Sequence, residues 1–253
     1  MGIDELGNGL VVGDGMNDAV IELDQVSLGW RDRVAVRDVS GVFARGSLTA
    51  IVGPNGAGKS TLVKGIMGLL SPIRGRIRLA GDSRNEMACL PQVGELDRTF
   101  PISAYDLVAM GAWRRVGAWA GFDAAEHERV WHALQMVGLA DFGRRIIGTL
   151  SGGQLQRALF ARLLLHDAQT LLLDEPFAAV DRHTTDDLMA LLCDWNSQGR
   201  TVIAVLHDLD MVRASFPQAL LMAGQAVAWG PTKQVLTPEN LHLAQHLCAG
   251  DYL

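Results

Sequence analysis

Residues 53–61 read GPNGAGKST, set between the apolar run LTAIV and the helix-like LVKGIMGLL. Three glycines, a lysine and two hydroxyls in nine residues make poor core, and so glycine-rich a loop is entropically costly to order. The stretch fits G-x-x-x-x-G-K-[ST], with Gly53, Gly58, Lys59 and Ser60 at the fixed positions and Thr61 behind them. Consecutive backbone N–H groups can wrap a phosphate only where side chains do not intrude, which accounts for Gly53, Gly56 and Gly58. Pro54, Asn55 and Ala57 complete the loop. A helix beginning at Lys59 aims its positive end at the same anion. Lys59 adds a point charge for the β- and γ-phosphates, and the Ser60 hydroxyl can ligate Mg²⁺. Strand, loop and helix in this order predict a nucleoside triphosphate site.

Composition bounds the rest. A chain of 253 residues, 49% hydrophobic and 20% charged, suits one α/β domain with a small inserted lobe. A net charge of −6 and a pI of 5.6 argue against a nucleic-acid partner held by phosphate neutralisation. Cys89, Cys193 and Cys248 are well separated and form no C-x-x-C, which points to a reducing compartment rather than a disulfide framework. No run approaches the roughly 18 apolar residues of a membrane helix. The N-terminus lacks a basic-then-apolar signal pattern, so a soluble, cytoplasmic protein is expected. Residues 1–18, without clear periodicity, read as a flexible extension.

AVIELDQVSL (19–28) alternates as a half-buried strand does. VSGVFARGSLTAIVG reads as a strand, a turn at Gly46 and a buried strand; GRIRLAG and EMACLPQ are further short strands. A helix is expected over Lys59–Leu70, stopped by Ser71-Pro72. From about 100 to 166 the pattern is helical: SAYDLVAMG with Ser103 as N-cap, AEHERVWHALQMVGL ending near Gly138, and GGQLQRALFARLLLH. TLLLDEP (170–176) and TVIAVLHD (201–208) are continuous apolar runs, the mark of strands covered on both faces, with a helix over 184–197 between them. The rhythm suggests an α/β core around a helical lobe.

Asp174 and Glu175 follow the strand TLLL. A carboxylate at that strand end, beside the phosphate loop, suits Mg²⁺. The next one could take a proton from an attacking water. His207 ends another apolar strand and could bond the γ-phosphate or the water. In LSGGQLQRALFAR (150–162), Ser151, Gly152 and Gly153 make a second anion-ready helix start, far along the chain from the first. One nucleotide explains one such site. Two invite a head-to-tail dimer, each nucleotide lying between the loop of one subunit and the serine-glycine helix of the other.

With LSGGQ, the chain over about 20–245 resembles the ATP-binding cassette (ABC) proteins, all of whose motifs occur in order. The resemblance implies a P-loop ABC ATPase: a mixed sheet core, an inserted helical subdomain and an N-terminal antiparallel β subdomain, with ATP and Mg²⁺ as cofactors. The cassette then spans 19–245, leaving 246–253 as a tail. Trp30 falls where the family stacks an aromatic on adenine. Family members usually carry tyrosine there, and a core indole is the plainer alternative. Gln92 in CLPQ resembles the Q-loop glutamine, a Mg²⁺ and water contact that senses the transporter subunit. Asp181 in AAVD falls in the loop that crosses the dimer, Gln154 completes the signature, Glu175 matches the general base and His207 the switch histidine. Together with Lys59 these form the implied catalytic set, and Ser60, Gln92 and Asp174 the implied Mg²⁺ set. LSGGQ and the lack of N-K-x-D argue against a GTPase or small-molecule kinase.

A single cassette without long coiled coils resembles the detached ATPase subunit of a transporter: a homodimer with a membrane permease, on the cytoplasmic face of the inner membrane. ELDRTFPISAYDLVAMG, DEPFAAVD, VLHDLDMVRASFP and WGPTKQVLTPENL resemble importers of zinc and manganese, fed by a periplasmic or extracellular metal-binding protein. Zinc is favoured over manganese. Import of an iron chelate or cobalamin, and a soluble ABC regulator without a membrane partner, remain alternatives. Residues 93–119 are the expected coupling surface, with Trp113, Trp119 and Phe122 either exposed there or buried in the helical lobe. His242 and His246, four apart and near Cys248, would share a helix face with a spacing that can bind Zn²⁺. Solvated histidines on an amphipathic tail helix are the plainer reading.

Overall fold

The computed structural model describes residues 18–30, 33–80, 86–92, 94, 96–117, 121–178 and 180–250. Residues 1–17 of the expected extension, Trp119 and Ala179 lie outside these. Three strands, β1 (Ala19–Trp30), β2 (Arg33–Ala44) and, beyond β3 (Leu48–Val52), β4 (Arg74–Leu79), form an antiparallel sheet in the order β2-β1-β4. β2 starts at Arg33 rather than near Val39 because its pairing with β1 continues to the last rung, Trp30↔Arg33. Ile21 and Leu23 and, beyond a register shift at Asp24–Gln25 where Gln25 takes φ +48°, Val26 and Leu28 of β1 pack into one core; the irregularity moves the alternation by one residue.

β3 instead joins β5 (Met87–Leu90), β6 (Thr170–Asp174), β7 (Thr201–Val205), β8 (Gln218–Met222) and β9 (Ala226–Pro231) in the order β5-β6-β7-β3-β8-β9. Only the β8–β9 pair is antiparallel. Every residue of β3, β6 and β7 is buried, as their unbroken apolar runs demand. Successive side chains serve two cores. Ala50, Leu171, Leu173, Val202 and Ala204 face the helical layer. Ile51, Leu172, Ile203 and Val205 face the antiparallel sheet and α1 (Lys59–Ile66). The phosphate-loop strand is therefore clamped between layers.

α1 ends four residues before the expected Leu70. Gly68 takes φ +75°, its N–H bonds Gly65 O at 3.0 Å, and Leu69 N–H bonds Lys64 O at 2.9 Å. That pair of bonds closes the helix without help from Ser71-Pro72. Between β5 and β6 lie α2 (Ala104–Ala109), α3 (Trp113–Val116), α4 (Ala124–Met136) and α5 (Gly152–His166). Ser103 and Asp106 form a reciprocal capping box at the start of α2, and Gly138, φ +68°, follows the end of α4. α5 joins this layer to the sheet, with Phe160 stacked between Phe177 and Trp195 at 6.4 Å from each. Phe122 packs against the same core, whereas Trp113 and Phe100 are exposed.

α6 (Arg182–Ser197) begins two residues before the expected 184, because Asp181 accepts from Thr184 N–H and caps it. α7 (Leu209–Ser215), α8 (Thr232–Val235) and α9 (Pro238–Gly250) complete the fold. α9 runs unbroken through residues 245 and 246. No helix among the described residues is long and apolar enough to cross a membrane.

Candidate nucleotide site

The loop between β3 and α1 turns on glycines that no other residue could replace without displacement. Gly53 has φ +148°, and a Cβ there would lie 2.1 Å from Met222 O. Gly58 has φ +86°, and its Cβ would meet Ala35 O at 2.5 Å. Gly58 is also the N-cap of α1 and offers no side-chain bond to the first turn, so the helix's positive end is left for an anion. Lys59, only 6% exposed, folds back and donates from Nζ to Gly53 O and Pro54 O, both at 2.9 Å. Burial holds its pKa below the usual value, opposed by the charges of Glu175 and Asp174.

Around this loop opens a cleft of about 640 Å³ that includes Asn55–Thr61, Trp30, Glu175 and His207 in its lining. Trp30 is 55% exposed, which rules out the core-indole alternative and leaves a flat aromatic face at the cleft wall. The buried Asp174, at the end of β6, accepts from Ser60 Oγ at 3.1 Å. Glu175 follows with φ +52°, an unusual value for a residue with a Cβ. Each oxygen of its carboxylate is held: Oε2 accepts from Gln92 Nε2 at 2.7 Å, and Oε1 lies 2.7 Å from His207 Nε2. Three strand ends, β5, β6 and β7, thus deliver Gln92, Glu175 and His207 to one point.

Ser60 Oγ and the Asp174 carboxylate are hard oxygen donors, and Gln92, with its amide nitrogen committed to Glu175, presents a third in its carbonyl. This donor set fits Mg²⁺ rather than a softer ion. Among the described residues, Ser151, Gly152, Gly153 and Gln154 do not line the cleft. Ser151 and Gln154 instead form a capping box at the start of α5: Ser151 Oγ accepts from Gln154 N–H at 3.2 Å, and Gln154 Oε1 accepts from Ser151 N–H at 3.0 Å. The Ser151 hydroxyl proton remains available to donate. Asp181 is outside the cleft as well. Its carboxylate accepts from Thr184 N–H (3.0 Å) and Oγ1 (2.8 Å), which holds its pKa below the usual value. Thr184 Oγ1 also accepts from Arg157 of α5, tying the Asp181 turn to the signature helix.

Sequence reasoning missed several parts of the cleft, among them Arg33, Val34, Ala35 and Arg37 of β2. Gly224 and Cys248 line it, brought there by the β8–β9 turn and by α9. Neither belongs to a local pattern, so nothing short of the tertiary fold could have revealed them.

A glycine loop after the parallel strand β3, an acidic pair at the end of β6 with β7 between the two strands, and a clamped sheet define a P-loop protein that binds nucleoside triphosphate. The family model described as ABC transporter matches residues 36–178, more than half of the chain, and the chain belongs to that family of ATP-binding cassette ATPases. It is 40% identical over 225 residues to the manganese transport system ATP-binding protein MntB of Bacillus subtilis (strain 168), covering 87% of this chain and 90% of the relative. It is 36% identical over 228 residues to the zinc transport system ATP-binding protein TroB of Treponema pallidum (strain Nichols), covering 88% and 86%. Among solved structures it resembles the ATP-binding cassette MJ0796, a dimer in a post-hydrolysis state bound to ADP and Pi. There the TM-score is 0.74 at 25% identity, over 84% of this chain and 98% of that one.

Proposed function

We propose that the chain is the ATP-hydrolysing subunit of an importer for a divalent transition metal. It works as a head-to-tail pair at the cytoplasmic face of the inner membrane, beneath separate permease subunits supplied by an external metal-binding protein. One observation carries the reading: a single chain holds a cleft with loop, lysine and Glu175, while Ser151–Gln154 stand outside it. A second copy can bring that missing half. That the solved cassette MJ0796 is a dimer supports pairing of two copies.

In this reading the N–H groups of the 53–61 loop and the α1 N-terminus bind the β- and γ-phosphates, and Trp30 stacks on the base. Lys59 exchanges the Gly53 and Pro54 carbonyls for phosphate oxygens. Ser60, Asp174 and Gln92 would hold Mg²⁺, which neutralises phosphate charge. Gln92 and His207 fix the orientation of the Glu175 carboxylate, which accepts the proton of the attacking water. Ser151 and Gly153 of the second copy donate to the γ-phosphate. Residues 93–119, which follow Gln92, form the permease contact, with exposed Phe100 and Trp113 as its apolar anchors.

Manganese and zinc each have a named relative in support, and the identities of 40% and 36% favour manganese slightly, against the zinc preference drawn from the sequence. Their shared chemistry is a divalent ion read by the other subunits. Vesicles containing the native permease, binding protein and this chain should take up radiolabelled manganese or zinc only with internal ATP. ATP-dependent uptake of neither ion would contradict the proposal.

A further inference from the structure

The geometry points to a surface zinc site on α9, made by His242 and His246. The two rings are exposed, and their Nε2 atoms converge to 3.1 Å with ring centroids 4.3 Å apart. Exposed imidazoles on a helix gain little from a single N···N hydrogen bond in water, and fixing both rotamers costs entropy. The same convergence is what chelation across one helical turn requires. An ion at roughly 2.0–2.1 Å from each nitrogen would subtend about 100° at the metal, near the tetrahedral angle that zinc prefers.

Cys248 is not a third ligand. It lies two residues beyond His246, on a different face of the helix, and lines the nucleotide cleft instead. Among the described residues no group of three His, Cys, Asp or Glu side chains is placed to hold an ion. Glu239, one turn earlier, has its carboxylate engaged at the helix start with Thr237. Water therefore fills the remaining positions, which makes the site open and its affinity modest. A pair of imidazoles selects zinc over manganese, which favours oxygen donors and binds nitrogen sites more weakly. The site is separate from the Mg²⁺ donors and does not depend on the transport reading. Because α9 also carries Cys248 to the cleft, an ion bridging its turns would stiffen a wall of the nucleotide site.

The test uses the untagged full chain, stripped with chelator and dialysed without nucleotide against micromolar zinc chloride or manganese chloride. Wild type should retain about one zinc ion more per chain than the His242→Gln/His246→Gln double variant, and no such excess of manganese. Zinc should also slow amide exchange over residues 242–248 of the wild type, a readout that needs no variant. Equal zinc in wild type and double variant, equal excess of both metals, or unchanged exchange in α9 would each overturn the assignment.

Discussion

Glu175 concentrates the chemistry of the chain. It follows a strand buried at every position, adopts a left-handed backbone that costs a side-chain-bearing residue about 1–3 kcal/mol, and has both carboxylate oxygens held. Its identity could be read from TLLLDEP. The family resemblance implied Gln92 and His207 for the same site, but not their direct bonds to Glu175, since they lie 83 and 32 residues away and meet it only through the order of β5, β6 and β7. Glu175→Gln preserves size and can still accept from Gln92 Nε2 through its amide oxygen, but its amide nitrogen cannot accept a hydrogen bond and the side chain cannot take a proton. The variant should bind ATP as wild type does, lose about 10²–10⁴-fold in kcat, and accumulate as a dimer in gel filtration with ATP. Lys59→Ala acts earlier. Removing charge-assisted bonds of ~1.5–3 kcal/mol should weaken nucleotide binding about 10- to 100-fold by calorimetry.

At the level of elements, the central strands β3, β6 and β7 were legible because full burial requires unbroken apolar runs, whereas β8, β9 and the helix ends were not. α1 was expected to reach Leu70, but the backbone bonds around Gly68 close it at Ile66. Inside α1, Gly65 appears a poor choice, since alanine is worth about 1 kcal/mol more in a helix. Leu28 of β1 explains it: a Cβ at Gly65 would sit 2.5 Å from Leu28 Cδ1. Gly65→Ala should therefore destabilise the fold by about 1–3 kcal/mol, seen as a lower denaturant midpoint, rather than stabilise it. In the helical layer, Arg115 bonds both oxygens of Glu126, Nε to Oε1 at 3.1 Å, and holds its pKa below the ordinary 4.5. A depressed carboxylate stabilises the fold fully above the unfolded value and loses that contribution as pH falls through the lower folded value. Glu126→Gln should accordingly lower stability at neutral pH and flatten its decline below about pH 4.5, measured by thermal melts across pH.

For the molecule as a whole, the sequence carried the α/β class, the family resemblance and the loop, Trp30, Glu175 and His207 of the cleft, but not the strand order or the lining that β2, the β8–β9 turn and α9 add. Gly224 and Cys248 reach the cleft only because α9 and the β8–β9 turn fold back over the phosphate loop. Ser151 was legible as a helix start, and the structure adds that its capping box is complete within its own chain. The central claim is that two copies share each nucleotide. Its most direct measurement is ATP turnover in an equimolar mixture of Lys59→Ala and Ser151→Ala chains, at an ATP concentration too low for the Lys59→Ala chain to bind and with each variant expected to be inactive alone. A head-to-tail pair of the two variants rebuilds one undamaged pocket, from the loop of the Ser151→Ala chain and the signature of the Lys59→Ala chain. Turnover that appears only on mixing is the predicted result; a mixture as inactive as its components would contradict it.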